Sequence, residues 1–144
     1  MNKVSFVVHG EPLGKGRPKF DTRGPYVRAV TPQKTVNYET RVMMEYQAQC
    51  GGAFFHRNEA LGMRITAYKP IPKSTSKKRM LQMLEGLIRP GKKPDWDNVG
   101  KIVCDALNGI AFRDDAQIVD GRTIKKYSDQ PRVEVEIWEE GVNG

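Results

Sequence analysis

Five aspartates fall within residues 92–115, "KKPDWDNVGKIVCDALNGIAFRDD", of a 144-residue chain whose formal net charge is +7. Asp95 and Asp97 open the segment, Asp105 sits inside it, and Asp114 and Asp115 close it. Carboxylates crowded together repel and raise one another's pKa unless a cation offsets them. A hard divalent ion with oxygen ligands is the natural partner. Mg²⁺, with Mn²⁺ as a substitute, suits a carboxylate site that must also hold phosphate oxygens.

The spacing gives the cluster a geometry. Residues two apart in an extended stretch project to one side, so Asp95 and Asp97 converge while Trp96 is expected to turn into the core. Asp97, Lys101 and Asp105 fall at i, i+4 and i+8 and share one face of a predicted helix. A tight corner then returns the chain, and one of Asp114 and Asp115 can meet the first pair. Upstream, eight basic residues (Lys69, Lys73, Lys77, Lys78, Arg79, Arg89, Lys92 and Lys93) stand against one acid, Glu85. Such a belt suits a nucleic-acid backbone. Beside a divalent ion it points to metal-assisted hydrolysis of a phosphodiester. Lys101 would add positive charge near the phosphorus. Plainer readings stand beside this one: Asp97 as a helix cap, Asp105 as a solvated residue paired with Lys101, Asp-Asp as a turn, and the belt as a solvated surface.

The elements that must position these residues can be read from the pattern. "VSFVV" (4–8) reads as a buried strand, and the Gly/Pro-rich stretch after it as a loop with a two-stranded ribbon around "DTRG". A helix is expected from Thr31, with Thr31 as cap, Pro32 in the first turn, Tyr38, Val42 and Tyr46 as its apolar stripe, and a stop at Gly51 and Gly52. "LGMRITAY" alternates as a half-buried strand. "KKRMLQMLEGL" is a short helix with Met80, Leu84 and Leu87 facing one way. The second long helix has Asp97 as its N-cap, an inner face of Val99, Ile102, Val103, Ala106 and Leu107, and a stop at Gly109. "AQIVDGRTIKKY" and "PRVEVEIWE" are strands hinged by "SDQ", the latter with Val133, Val135 and Ile137 inward. The order β, ribbon, α, β, α, α, β, β makes a single compact α+β domain over 1–144, a small mixed sheet packed against helices.

Composition bounds the rest. Hydrophobic residues make up 38% and charged residues 28%, which fits a globular chain rather than a disordered one. No apolar run reaches the length of a membrane span, and "MNKVSFVVHGEP" is no signal peptide. Cys50 and Cys104 form no scaffold pattern, so a reduced, cytoplasmic setting is expected. His9 and His56 are too isolated for a zinc site.

The segment "KPDWDNVGKIVCDALNG…FRDDAQIVDGRTIKK" resembles the RusA family of Holliday-junction resolvases, whose hallmark is D-x-D-N-x-x-K-x-x-x-D-A-L followed by D-D-x-Q-[IV]. Asp95, Asp97, Asn98, Lys101, Asp105, Ala106, Leu107, Asp114, Asp115, Gln117 and Ile118 occupy those positions. "VVHGEPLGKGRPKF" is similar to the opening of many phage-type members. The resemblance implies a Mg²⁺-dependent endonuclease, a homodimer of mixed α/β fold that nicks four-way DNA junctions symmetrically. It implies metal binding by Asp95, Asp97 and Asp115, an essential Lys101, and supporting roles for Asp114 and Asn98. Asp105 and Asp120 fall at recurrent positions without an assigned role. Expected DNA contacts are Lys15, Arg17 and Lys19 in the N-terminal loop and Lys77, Lys78, Arg79, Lys92 and Lys93 in the belt. Phe20 and Tyr26 are candidates for stacking at an unpaired junction centre, with core packing the stronger expectation. Met43, Met44, Val42 and Tyr46 are interface candidates, again second to packing. The competing readings are a non-catalytic branched-DNA-binding protein and a broader metal-dependent nuclease acting on flaps or forks.

Overall fold

The computed structural model describes residues 3–144, and its elements follow the expected order. Strand β1 (Lys3–His9) is followed by a ribbon of β2 (Lys19–Asp21) and β3 (Arg28–Val30), then helix α1 (Gln33–Cys50) and strand β4 (Glu59–Pro70). Helices α2 (Lys77–Leu84) and α3 (Trp96–Leu107) come next, then a 3-10 turn (Asp115–Gln117), β5 (Ile118–Ser128) and β6 (Arg132–Val142). The four long strands form one mixed sheet in the order β1-β6-β4-β5, and the ribbon stands apart as its own antiparallel pair.

Strand β4 lies between the two C-terminal strands, parallel to β5 and antiparallel to β6. The SDQ turn therefore joins strands on opposite sides of β4 instead of closing a hairpin. Being central, β4 is buried more completely than its alternation predicts: Gly62 and Thr66 are covered as well as Leu61, Met63, Ile65 and Ala67. Gly62 is bare because the Trp138 ring crosses it; a Cβ there would lie 2.3 Å from the indole.

Register places Val4, Phe6 and Val8 opposite Ile137, Val135 and Val133, with Met63, Ile65 and Ala67 on the same face. Helices α1 and α3 cover that face. Tyr38, Val42 and Tyr46 come inward from α1, and Val99, Ile102, Val103, Ala106 and Leu107 from α3. Fully burying one such aliphatic side chain stabilises by roughly 1.5–3 kcal/mol before entropy is set against it. The Phe6 ring meets Tyr46 edge-on at 5.4 Å.

Three expectations are corrected. Pro32, not Thr31, is the residue before α1, and no side chain caps that end; Gly51 closes the other end in the left-handed conformation, as read. On α2, Ser76 caps Arg79 N, but only Met83 is buried; Met80, Leu84 and Leu87 are exposed because the helix packs beside β5 on its other side. Helix α3 begins two residues earlier than expected, with Asp95 rather than Asp97 at its N-cap position, and Trp96 lies outside the core at 65% exposure. Trp96 keeps helical register with Val99 and Val103 (i, i+3, i+7), but as the first residue of the helix it lies beyond the covered part of that face. Met43 is partly covered and Met44 exposed on α1. No helix among the described residues is long and apolar enough to cross a membrane.

Candidate functional site

The approach to α3 is held by two lysines from the sheet. Lys125 Nζ on β5 donates to the carbonyls of Lys92 (2.7 Å) and Pro94 (3.0 Å), and Lys69 Nζ on β4 donates to the carbonyl between them, at Lys93 (3.0 Å). Three successive carbonyls are thus fixed before Asp95. Lys69 belonged to the belt expected from sequence, but Lys125 did not. Its only signal was its place on the inward face of β5, alternating with Thr123 and Gly121, where a lysine needs an acceptor.

On α3, Asp97, Lys101, Cys104, Asp105 and Asn108 run as one stripe at helical spacing. Lys101 Nζ lies 3.4 Å from Asp105. Asp97 accepts the backbone N–H of Asn98 (3.0 Å) and remains exposed. Asp95 is paired with Lys93, whose Nζ sits 2.9 Å from one carboxylate oxygen and 3.0 Å from the other.

The Asp-Asp corner divides into two jobs. Asp114 caps the 3-10 turn, accepting Ala116 N–H at 3.1 Å within a capping box with Gln117. Gln117 is buried and makes four hydrogen bonds: its Oε1 accepts from Arg113 N and Asp114 N, and its Nε2 donates to the carbonyls of His56 and Glu59. With the corner clamped, Asp115 N–H donates to Asn108 Oδ1 (3.0 Å), which sets Asp115 against the C-terminal part of the α3 stripe. Among the described residues, the Asp115 carboxylate makes no hydrogen bond or ion pair. Cys104 reports the neighbourhood: burial pushes its thiol up to about 12, the charges of Asp115 and Asp105 add to this, and Lys101 opposes it.

Asp95 and Asp97 therefore stand at one end of the stripe and Asp115 near the other, with Lys101 between. Cys104 is seven residues beyond Asp97, about 10 Å along the axis. Accordingly, no three His, Cys, Asp or Glu side chains among the described residues close on a single point as metal ligands. The donor chemistry nonetheless suits Mg²⁺, which is commonly held by one or two carboxylates together with substrate phosphates and water rather than by a complete protein cage.

Of the remaining residues, Lys15 faces inward. Its Nζ lies 2.8 Å from Glu39 and 3.1 Å from Asp105, so its charge is spent between α1 and α3 rather than offered to solvent. Burial opposes the Lys15 charge, but the hydrogen bonds and charges of Glu39 and Asp105 outweigh this and raise its pKa above 10.5. Asp105, without a role in the sequence reading, is the acceptor shared by Lys15 and Lys101. Asn98 accepts Lys15 N–H through its carbonyl (2.9 Å). Arg17, Lys19, Lys77, Lys78, Arg79, Lys92 and Lys93 are exposed. Asp120 pairs in register with Gly62, on the sheet face away from α3, so it stands apart from the stripe. A cavity of about 640 Å³ lies beside Asp95, lined among others by Lys34, Tyr38, Arg41, Lys69, Lys93 and Asn98. Lys34 and Arg41 reach this cavity from α1 beside Tyr38, at positions the apolar stripe of that helix does not mark.

Two comparisons bear on this arrangement. Residues 9–138 match the family model described as Endodeoxyribonuclease RusA. The chain is also 39% identical, over 96% of its own length and 98% of the relative's, to the uncharacterized protein YqaN of Bacillus subtilis (strain 168).

Proposed function

Because this chain belongs to the RusA endodeoxyribonuclease family, we propose that it is a Mg²⁺-dependent endonuclease that resolves four-way DNA junctions by paired nicks. The observation that carries the reading is the α3 stripe: Asp97 and Lys101 exposed on one helix face, with Asp115, whose carboxylate has no partner among the described residues, set against the same stripe by Asn108. Carboxylates left unpaired beside a basic loop are costly to a DNA-binding surface unless a cation bridges them to phosphate.

Asp95, Asp97 and Asp115 are the carboxylates from which the ion would take its ligands, one or two directly and the rest through bound water. When bound, Mg²⁺ polarises the scissile phosphate and lowers the pKa of an attacking water. Lys101 places its ammonium where charge develops on the phosphoryl oxygens. Lys69 and Lys125 fix the loop before Asp95, so that its carboxylate arrives in one position. Lys92, Lys93, Lys77, Lys78 and Arg79 bind the phosphate backbone. Lys93, held to Asp95 at 2.9 Å, would be free to reach phosphate if a divalent ion were to take that carboxylate. A homodimer puts two such sites on the two opposed strands of a nearly two-fold junction.

The test is a panel of four-way junction, flap, linear duplex and single strand, each incubated with Mg²⁺ or EDTA. The reading expects symmetric nicks in the junction with Mg²⁺ alone, and Asp97→Asn protein that binds the junction without cutting it. Full cleavage by Asp97→Asn would overturn the assignment.

A further inference from the structure

The ribbon of β2 and β3 presents large apolar side chains to solvent. Phe20 is 72% exposed, Tyr26 80% and Val27 67%, so the core-packing expectation for the two aromatics does not hold. Exposed aromatics on a short ribbon gain nothing for folding. The charges around them are one-sided as well. Arg17, Lys19, Arg23 and Arg28 surround a single acid, Asp21, and that carboxylate is already held by Arg23 (3.1 Å) and Arg28 (3.4 Å).

The base of the ribbon is tied to the helix that carries the acidic stripe. Gly14 packs so closely that a Cβ there would lie 2.8 Å from Pro94 and 3.1 Å from Asn98. Lys15 N–H donates to the Asn98 carbonyl, and Lys15 Nζ reaches Glu39 and Asp105. Gly16 N–H donates to Thr35 Oγ1 at 3.3 Å. Phe20 is five residues beyond Lys15, at most about 18 Å away on an extended chain. That is about five base steps of a DNA strand.

The geometry points to a base-stacking element: Phe20 and Tyr26 stack on unpaired bases of branched DNA, while Arg17, Lys19, Arg23 and Arg28 hold the flanking phosphates, a few nucleotides from the strand at α3. Aromatic faces accept any base, and the surrounding cations favour a polyanion over a second protein surface. The inference rests on the endonuclease reading for the position of the cut, but binding alone tests it.

The experiment measures affinity without metal, in EDTA, for a four-way junction carrying 2-aminopurine at the branch point and for a linear duplex of the same sequence. Wild-type protein should change the 2-aminopurine fluorescence. Phe20→Ala/Tyr26→Ala should abolish that change and weaken junction binding at least tenfold, with duplex affinity moving less than twofold. Phe20→Trp/Tyr26→Trp should restore both. Equal loss on junction and duplex, no loss on either, or a ribbon variant altered only in self-association overturns the proposal. If wild-type protein cuts junctions while the alanine variant binds them normally, stacking is refuted and the nuclease reading stands. If no DNA is cut but the aromatic-dependent preference remains, the reverse holds.

Discussion

Lys15 Nζ and the Asp105 carboxylate lie 3.1 Å apart, and with Glu39 they fasten the N-terminal loop across α1 and α3. Replacing Lys15 with Met takes away the cation between Glu39 and Asp105 and leaves Asp105 with Lys101 alone. The expected cost is roughly 1–2 kcal/mol by urea unfolding at neutral pH. Because the folded pKa of Lys15 is raised above 10.5, its contribution is complete below that value and is lost as pH climbs through the folded pKa. Unfolding curves of wild type and Lys15→Met should therefore converge at strongly alkaline pH; a constant gap would refute the pairing.

Lys125 acts on the site through backbone rather than through substrate. Lys125→Met releases the carbonyls of Lys92 and Pro94, leaving Asp95 on a looser loop. The Mg²⁺ concentration for half-maximal junction cleavage should rise about tenfold, in the range seen for residues that orient metal ligands. Cleavage at saturating Mg²⁺ should recover most of its rate. An unchanged Mg²⁺ dependence would assign Lys125 to stability alone.

The two aspartates of the corner should separate cleanly. Asp114→Ala removes a cap and should cost about 1 kcal/mol while cleavage persists. Asp115→Asn should leave the thermal midpoint nearly unmoved and reduce cleavage at least a hundredfold. Gln117→Ala, which strands buried partners on both sides of the corner, should be the most destabilising of the three, by roughly 2–4 kcal/mol. Melting curves and a junction assay on the same preparations decide all three.

Gly62 and Trp138 make a test away from the chemistry. Gly62→Ala pushes a methyl into the indole and should destabilise by roughly 1–3 kcal/mol. Adding Trp138→Val should recover part of that loss, and a double-mutant cycle in urea measures the coupling.

The sequence was most legible where one period governed a long stretch. The α3 inner face and the inward set Val133, Val135 and Ile137 are buried as read, because a 3.6 or 2.0 repeat admits one buried side. It was least legible where burial depends on what lies next door. Trp96 was expected inside because it is large and apolar, yet with Asp95 two residues earlier as the cap it becomes the first residue of α3, beyond the part of that face the fold covers. The α2 stripe failed for a related reason: eight residues present several apolar faces, and only the position of β5 selects Met83. At the site, residue types and spacing marked the aspartates and Lys101. What they did not carry was the tertiary support from Lys125, Asn108 and Lys15, since each bond crosses between elements distant in the chain.

The place of β4 bears on how the molecule assembles. Both of its neighbours, β5 and β6, follow it in the chain, and β1 reaches the sheet only through β6. In a growing polypeptide the acidic helix is thus made while β4 still lacks both of its neighbours in the sheet. The latest of the four strands to be made is the one that stitches the first to the middle, so the sheet beneath the acidic helix closes only once β6 has joined.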